Sequence, residues 1–546
     1  MSKNNELSYL CATKYLWQII RPHKRYYFAA SIIALVLMIT EIMKVKFTEI
    51  MINSVTEGTL TKAIYSLMMF LLLAMVSISL EYFSGIFVSK LSSKTLKDLK
   101  SHLSKKLAYG KYDEIMKLKS GDTMATVNMD TKVVCDFIGG DLTGLFSQFV
   151  MLIGALGYLF FINPMLALIT FSYTPVGMFF TLTLNKKMKG LYKTGGDNKG
   201  ETLSLIEQAL SQIPVIKSFL MEKSMKKKIY EGYNNVYNTE MKISIWNALL
   251  QTACSSTSAM PKILYLIFGA RMIMKGQLTL GTFIGVFHML NYIIGPSVYF
   301  PFLLNGLNRS VASINRIGVL EKISIDQGIK AFEKPEIPCI EIDRIYFGYG
   351  EGSKIIKNLS FNHKGPGIIA LKGKSGSGKT TLIDLISGLY KPCSGAIKVN
   401  GDISVVTQEP YVFQKNLIEN IRIARKNATD EEVKKALDMA GAEKLKDKLP
   451  EGYDTILGDG NVDLSGGEKQ RISLARTILS QKSIWILDEP TSALDSDTEK
   501  VVLEMIRKMS KEKLILISAH KQWLHQITSK SIDMEAMKGD EIYDSI

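Results

Sequence analysis

Cysteine is scarce in this sequence and follows no pattern. The chain has five cysteines among 546 residues, an odd number with no pair at CxxC spacing. The sequence therefore predicts neither a disulfide framework nor a zinc site. It also lacks collagen-like and low-complexity repeats, and 47% of its residues are hydrophobic. Fibrous and disordered chains are excluded on these grounds.

The length of 546 residues exceeds what a single hydrophobic core holds, so we expect at least two structural units. The mean hydropathy of +0.10 is high for a soluble enzyme and low for a chain made only of membrane spans. This intermediate value indicates two halves of unlike composition.

Basic residues exceed acidic ones and give a net charge of +15. Lysines concentrate in residues 90–132 and 186–242, and both clusters lie between long apolar runs. Such clusters are typical of the cytoplasmic loops of membrane proteins. A solvated basic face on a soluble helix would leave the flanking apolar runs unexplained. The charge therefore indicates a membrane protein rather than a partner of nucleic acid.

Six apolar runs are long enough to cross a bilayer as helices. They cover residues 26–47, 63–88, 142–162, 165–184, 243–270 and 279–304. An even number of spans places both termini on the side of the lysine clusters, which is the cytoplasm. Residues 7–20 predict an amphipathic surface helix. Because Lys24 and Arg25 lead directly into a full-length span, we expect no cleavable signal peptide.

Four polar side chains fall within or near these spans, namely Glu41, Glu81, His288 and Asn291. Ionisable groups inside a membrane are candidates for lining a transport pathway. The alternative is that they hold helices to one another or to lipid headgroups. The sequence leaves both interpretations open.

In the second half, a buried strand at 367–371 leads into a glycine-rich loop and then a helix. Residues 373–380 read GKSGSGKT, the GxxxxGK[ST] motif in its strand–loop–helix context. Its glycines let backbone N–H groups surround phosphates, and the helix N-terminus adds a favourable dipole. Lys379 should reach the terminal phosphates, and the Thr380 hydroxyl should bind Mg²⁺. The predicted ATP-binding residues of this motif are Gly373, Ser375, Gly376, Ser377, Gly378, Lys379, Thr380 and Thr381.

A second apolar strand, at 483–487, ends in two carboxylates. Asp488 at the end of the strand is suited to bind Mg²⁺, directly or through water. Glu489, one residue later, can polarise an attacking water as a general base. Together with the phosphate-binding loop, this pair predicts an ATPase.

The stretch LSGGEKQR at 464–471 resembles the signature motif of ATP-binding cassette (ABC) proteins, and further motifs follow the family in order. By this resemblance Tyr349 stacks on adenine and Gln408 is the Q-loop glutamine, near the metal and the attacking water. The resemblance also implies nucleotide contacts from the signature motif and the D-loop and a catalytic switch histidine. The signature residues are Ser465, Gly466 and Gly467, the D-loop residue is Asp495, and the switch histidine is His520.

Six spans followed by one cassette look like a half-transporter of the type IV ABC exporter group. This resemblance implies an all-α six-helix transmembrane domain followed by an α/β P-loop ATPase domain with a helical subdomain. We expect an amphipathic helix in 1–24, the transmembrane domain in 25–318, a linker in 319–335 and the nucleotide-binding domain in 336–546. Breaks at 120–122 and 212–219 resemble coupling helices. Asp459 stands where these exporters have glutamate.

The resemblance further implies two chains that close head to tail around ATP and Mg²⁺. Both half-sites are intact in this chain, which favours a homodimer in contact with membrane lipids. The favoured function is ATP-driven export of a hydrophobic or amphipathic compound, such as a drug-like molecule or small peptide. A lipid flippase of the same architecture is an alternative, and an ATP-gated channel is a weaker one. The excess of lysine over arginine suggests a bacterial inner membrane.

Overall fold

The computed structural model describes residues 9–326, 337–349, 355–458, 462, 464–518, 528 and 530–534. These residues divide into two compact units. The first contains the described residues up to 108 together with 118–323, and the second contains 109–117 together with the described residues from 324 onward. The short segment Tyr109–Lys117 therefore belongs to the same unit as the residues after Ile323.

Long helices make up the first unit. In chain order the helices before residue 324 are α1 (Tyr9–Ile20), α2 (Lys24–Thr56), α3 (Leu60–Tyr109), α4 (Tyr112–Ile115), α5 (Ser120–Ala125), α6 (Thr131–Asp136), α7 (Leu142–Ile162), α8 (Pro164–Ser211), α9 (Ile213–Ser218), α10 (Glu222–Met274) and α11 (Leu280–Glu321). Short π-helical turns join α5, α6 and α7. The predicted surface helix is α1, and a turn at Arg21–His23 separates it from α2.

Five helical stretches among the described residues are long and apolar enough to cross a membrane. They are Lys14–Thr56, Leu60–Tyr109, Ser120–Ile162, Pro164–Leu184 and Leu280–Glu321. The predicted fifth span, 243–270, is helical but is not one of the five. Its polar stretch at 251–258 and the adjoining Lys262 lower the hydropathy of α10.

Helix α10 packs along α8 through small and polar side chains. The Asn198 side-chain amide donates to the Thr239 hydroxyl across 2.9 Å, and Lys199 pairs with Glu240 at 2.6 Å. Gly177 lies against Thr257, where a Cβ atom would overlap the threonine side chain. The polar side chains that lower the hydropathy of α10 therefore lie on a helix that packs closely against α8.

The chain breaks close to the two positions that the sequence indicated. The first break is at Lys119, which is extended, and residues 120–122 themselves form the first turn of α5. The separate short helix of this region, α4, lies upstream of the prediction. The second break is followed by the short helix α9, within the predicted 212–219.

The described residues of the second unit form two sheets and, beyond α4, six α-helices. Its strands are β1 (Cys339–Phe347), β2 (Ile356–Lys364), β3 (Gly367–Lys372), β4 (Ser394–Asn400), β5 (Ile403–Val406), β6 (Ile484–Asp488), β7 (Leu514–Ser518) and β8 (Lys530–Asp533). Its helices are α12 (Lys379–Ile386), α13 (Leu417–Arg422), α14 (Asp430–Met439), α15 (Leu445–Lys448), α16 (Gly466–Ser480) and α17 (Ser496–Met509).

A parallel sheet of order β5-β6-β7-β3-β8 forms the centre of this unit, beside an antiparallel sheet of order β2-β1-β4. Strands β6 and β7 are buried along their full length, as expected for apolar strands covered on both faces. Ser518 at the end of β7 pairs with Asp488 on one side and with Leu371 on the other. This register places the ends of β3, β6 and β7 side by side.

Candidate nucleotide site

The carboxyl edge of the parallel sheet brings together segments that are distant in sequence. The glycine-rich loop follows β3, Gln408 follows β5 by two residues, and Glu489 follows β6. Ligands of open α/β sheets bind outside the carboxyl ends of the strands. The topology alone therefore makes this edge the candidate site.

Three glycines of the loop have left-handed φ angles, Gly373 at 145°, Gly376 at 76° and Gly378 at 103°. Side chains at these positions would be strained, so glycine lets the backbone fold back on itself. The loop ends where α12 begins, at Lys379. The buried Lys379 ammonium donates to the Gly373 and Lys374 carbonyls across 2.6 and 3.1 Å.

Inside the loop, the Ser377 hydroxyl fits a site for a polar ligand. This side chain is buried, and its Oγ has no hydrogen-bond partner among the described residues. A Cβ on Gly373 would lie 2.5 Å from that oxygen. Ser375, by contrast, is exposed. A buried hydroxyl without a partner is costly, which indicates that something else bonds to it.

Thr380 and Asp488 meet across the sheet edge. The Thr380 hydroxyl donates to Asp488 Oδ2 across 3.1 Å, and the Asp488 side chain is buried. Burial, together with the nearby Asp488 charge, raises the pKa of Asp384 on α12. The pair supplies two adjacent oxygen ligands of the kind that Mg²⁺ prefers.

Glu489 has a left-handed φ of 49°, a conformation that costs free energy for a non-glycine residue. Hydrogen bonds hold this turn. The Glu489 N–H donates to the Ser518 carbonyl at 2.9 Å, and the Glu489 carbonyl accepts from the Gln470 side-chain amide at 2.5 Å and from the Ser492 hydroxyl and N–H at 3.1 and 3.2 Å. The Gln408 side-chain amide donates to the Glu489 carboxylate across 3.4 Å. The structure thus brings together Gln408, Asp488 and Glu489.

Gln470 was not among the site residues predicted from the sequence. Its side chain is buried and joins α16 to the loop after β6, donating to Glu489 and accepting from the Ala493 N–H at 3.3 Å. The signal was available: Gln470 is four residues before Leu474 and eight before Ile478, on the buried face of α16. A polar residue at such a position needs internal hydrogen-bond partners.

The signature residues begin α16. Ser465 caps this helix in a capping box with Glu468: the Ser465 N–H donates to the Glu468 carboxylate at 3.0 Å, and the Glu468 N–H donates to Ser465 Oγ at 3.4 Å. Gly467 lies against the loop after β6, where a Cβ would be 2.5 Å from the Ala493 carbonyl oxygen. At Gly466 a Cβ would find an ordinary 3.6 Å contact with Ala493.

Two further predicted residues have structural partners. The Tyr349 hydroxyl lies 3.2 Å from that of Thr381, which links this half-exposed ring to α12. Asp495 caps α17, and the Thr498 hydroxyl and backbone N–H lower the pKa of its carboxyl. His520 and Asp459 lie outside the described residues.

The polar residues predicted in the spans differ in their environments. Glu41 is buried and pairs with Lys44 on the same helix, Nζ to Oε1 2.5 Å. Glu81, His288 and Asn291 are exposed in the single chain. The structure therefore does not place the four together as one group of exposed side chains.

The two units define a class of protein: a bundle of long apolar helices joined to a P-loop domain with a composite phosphate and carboxylate site. Comparison with known families gives the same result. The ABC transporter transmembrane region family matches residues 26–297, and the ABC transporter family matches residues 356–492. The chain belongs to the ABC transporters, as a helical transmembrane region fused to an ATP-binding domain. It is a multi-pass membrane protein.

Several known proteins are similar over most of this chain. Staphylococcus aureus proteins assigned by name to multidrug export as ATP-binding/permease proteins are 30% identical over 419 residues, which is 73% of this chain and 72% of theirs. The uncharacterised ABC transporter ATP-binding protein YwjA of Bacillus subtilis is 28% identical over 447 residues, covering 78% of this chain and 76% of its own.

One solved structure shares the fold over 94% of both chains, with a TM-score of 0.80 at 20% identity. It is that of a bacterial Atm1-family ABC exporter with ATP bound.

Proposed function

We propose that this chain forms a homodimeric exporter that uses ATP hydrolysis to move a hydrophobic or amphipathic compound out of the cytoplasm. The observation that carries the proposal is the meeting of Lys379, Asp488 and Glu489 at one edge of the parallel sheet. The S. aureus relatives named for multidrug export support the direction of transport.

ATP fits the loop between β3 and α12. The positive φ angles turn this loop back on itself at the start of α12, the kind of geometry that binds phosphate through backbone N–H groups. The buried hydroxyl of Ser377 offers one further bond, and Lys379 carries the compensating positive charge. Tyr349 supplies an aromatic face for the base.

Mg²⁺ would be held by Thr380 and Asp488, with Gln408 reaching from the end of β5. When bound, the ion neutralises negative charge on the phosphates. The adjacent oxygens of Thr380 and Asp488 support this assignment.

Hydrolysis then needs one general base. A water oxygen attacks the γ-phosphorus while the bond from phosphorus to the bridging oxygen breaks, releasing ADP and inorganic phosphate. Glu489 takes the proton from the attacking water, and Gln408 orients the carboxylate. His520 would stabilise the γ-phosphate from the segment after β7.

Ser465, Gly466, Gly467 and Asp495 would complete the ATP site of a second copy of the chain. Binding of ATP between two copies would drive the spans from an inward-facing to an outward-facing state. A 10⁴-fold difference in ATP affinity, about 5.5 kcal/mol, shifts such an equilibrium from 1:99 to 99:1. We place the chain in a bacterial inner membrane with both termini in the cytoplasm, because the lysine-rich segments would then lie on the cytoplasmic side.

The homodimer is tested by mixing two inactive variants. Lys379→Ala disables the phosphate loop, and Ser465→Arg disables the signature. If each site uses the loop of one copy and the signature of the other, each variant alone is inactive and mixed dimers regain ATPase activity at one intact site. Full ATPase activity of Ser465→Arg alone would contradict the proposal.

The cargo is tested with the purified chain in proteoliposomes. ATPase activity is measured against a panel of hydrophobic dyes, small peptides and phospholipids. An exporter of amphipathic compounds is stimulated by members of the first two groups, whereas stimulation by phospholipid alone indicates a flippase. ATPase activity that none of them changes would contradict the export proposal.

A further inference from the structure

A cavity of about 600 Å³ lies between α1, the start of α2 and the start of α7. Its walls are mainly apolar, with Trp17 and Ile20 on α1 and Leu142, Leu145, Phe146 and Phe149 on α7. Trp17, Phe146 and Phe149 keep about half of their surface exposed. The volume is in the range of sites that hold small molecules.

The hydroxyl groups that line this cavity use their hydrogens internally. Tyr27 donates to the Ile138 carbonyl at 2.7 Å, Ser31 donates to the Tyr27 carbonyl at 2.8 Å, and Thr143 donates to the Gly139 carbonyl. The interior therefore offers no free hydroxyl donor among these residues. Such a surface suits a hydrocarbon chain better than a polar ligand.

Positive charge lines one part of the cavity. Arg21 and Lys24 are exposed, and neither forms an ion pair or side-chain hydrogen bond with the side chains that the structure describes. The neighbouring His23, by contrast, pairs with Asp98 at 3.2 Å. Two cations without an ion pair or side-chain hydrogen bond among the described residues, beside an apolar cavity at the end of a membrane span, match the two parts of an anionic lipid.

We propose that this cavity binds one anionic phospholipid, with an acyl chain between α1 and α7 and the phosphate at Arg21 and Lys24. The site is separate from the nucleotide-binding unit. A lipid bound here contacts both α1 and the bundle, so it fastens the surface helix to the first span and to α7. Charge complementarity selects this occupant over a neutral compound, because only an anionic headgroup supplies a negative charge for the two cations.

The test is native mass spectrometry of the delipidated full-length chain in detergent, titrated with palmitoyl-oleoyl phosphatidylglycerol or palmitoyl-oleoyl phosphatidylcholine. The wild-type chain should retain one phosphatidylglycerol at collision energies that remove phosphatidylcholine. Arg21→Ala/Lys24→Ala should reduce this retention about 10²-fold or more, because each of the two lost charge-assisted contacts is worth at least about tenfold. The control Lys90→Ala/Lys97→Ala removes the same charge from exposed positions of α3 and should retain the lipid. Equal retention of both lipids, or full retention by the Arg21/Lys24 variant, would overturn the proposal.

The position of the chain is tested with phosphatidylglycerol that carries a diazirine in its acyl chain. Illumination should label peptides containing residues 142–149, and Ala30→Phe, which fills the cavity, should abolish that labelling. Labelling confined to other peptides would overturn the site. If residues 142–149 escape labelling only when a second copy of the chain is present, and no lipid adduct forms, the partner subunit and not a lipid covers this face.

Discussion

The Gln470 side-chain amide donates to the Glu489 backbone carbonyl across 2.5 Å, which ties the signature helix α16 to the turn that carries the proposed general base. That turn has a left-handed φ, so it depends on its hydrogen bonds to stay in place. The position of the Glu489 carboxylate therefore depends on a residue from another element of the same unit.

Replacing Gln470 with Ala should slow hydrolysis at temperatures well below unfolding. The change leaves the Ala493 N–H without its partner and removes one of the hydrogen bonds that hold the Glu489 turn, at a cost of about 1–3 kcal/mol. We expect kcat for ATP to fall while the affinity for ATP is kept. Thr477→Val is the control, because it removes the hydrogen bond that Thr477, also on α16, accepts from Ser404 of β5 and leaves Glu489 alone. Equal kcat losses in both variants would contradict a positioning role for Gln470.

Gly467→Ala should destabilise the chain, and Gly466→Ala should not. The new methyl at 467 would meet the Ala493 carbonyl at 2.5 Å, which forces the backbone apart at a cost of about 1–3 kcal/mol. At 466 the methyl finds space, and alanine favours the helix over glycine. Melting temperatures of the two variants measure the difference. A Gly467→Ala variant as stable as Gly466→Ala would be inconsistent with this packing.

Glu468 should make the chain sensitive to acid. Burial alone raises the pKa of Glu468, but hydrogen bonds from the Ser465 N–H and Lys448 outweigh burial and lower it overall. A carboxyl whose folded pKa is depressed contributes stability above its unfolded pKa of about 4.3, and this contribution is lost as the pH falls through the folded pKa.

The melting temperature of Glu468→Gln should therefore fall less than that of wild type between about pH 5 and about pH 3. Glu443→Gln, at an exposed position, serves as control. Parallel curves for wild type and Glu468→Gln would contradict the prediction.

Substitutions at Glu41 and His288 should differ in their effects on stability, basal ATPase activity and stimulation by cargo. Glu41→Ala removes the buried partner of Lys44 and should lower the free energy of unfolding by about 3–5 kcal/mol. The melting temperature and the basal ATPase activity should therefore fall together. The double variant Glu41→Leu/Lys44→Met should recover most of that loss. His288→Ala, at an exposed position, should leave both quantities unchanged and alter stimulation by cargo. Cargo-specific effects of Glu41→Ala at unchanged stability would instead favour a pathway role for Glu41.

Local sequence patterns predicted the site residues that stand in contiguous motifs. Lys379 and Asp488 stand in motifs that include their own strand and turn, so their elements could be read directly. Gln470 was missed because its partners, Glu489 and Ala493, are about twenty residues away and only the fold brings them near. Likewise Glu41 was grouped with His288 by hydropathy, although Glu41 is buried and paired with Lys44 whereas His288 is exposed.

The ends of the predicted spans do not coincide with the ends of the helices. The second predicted span, 63–88, is part of the 50-residue helix α3, whose later half is rich in lysine. Lysine is a good helix former, so the composition changes at the membrane boundary while the backbone does not. The short helix α4 lacks enough residues for a periodic pattern, and it was therefore not predicted.

The most direct test of the account is the ATPase activity of Glu489→Gln in the purified full-length chain. An amide cannot accept the proton from water, so turnover should fall about 10²–10⁴-fold. ATP binding should remain, and the variant should accumulate as an ATP-bound dimer measurable by mass. Glu443→Gln should hydrolyse ATP at the wild-type rate. Near-normal turnover by Glu489→Gln would contradict the assignment of the site and with it the proposed coupling of hydrolysis to transport.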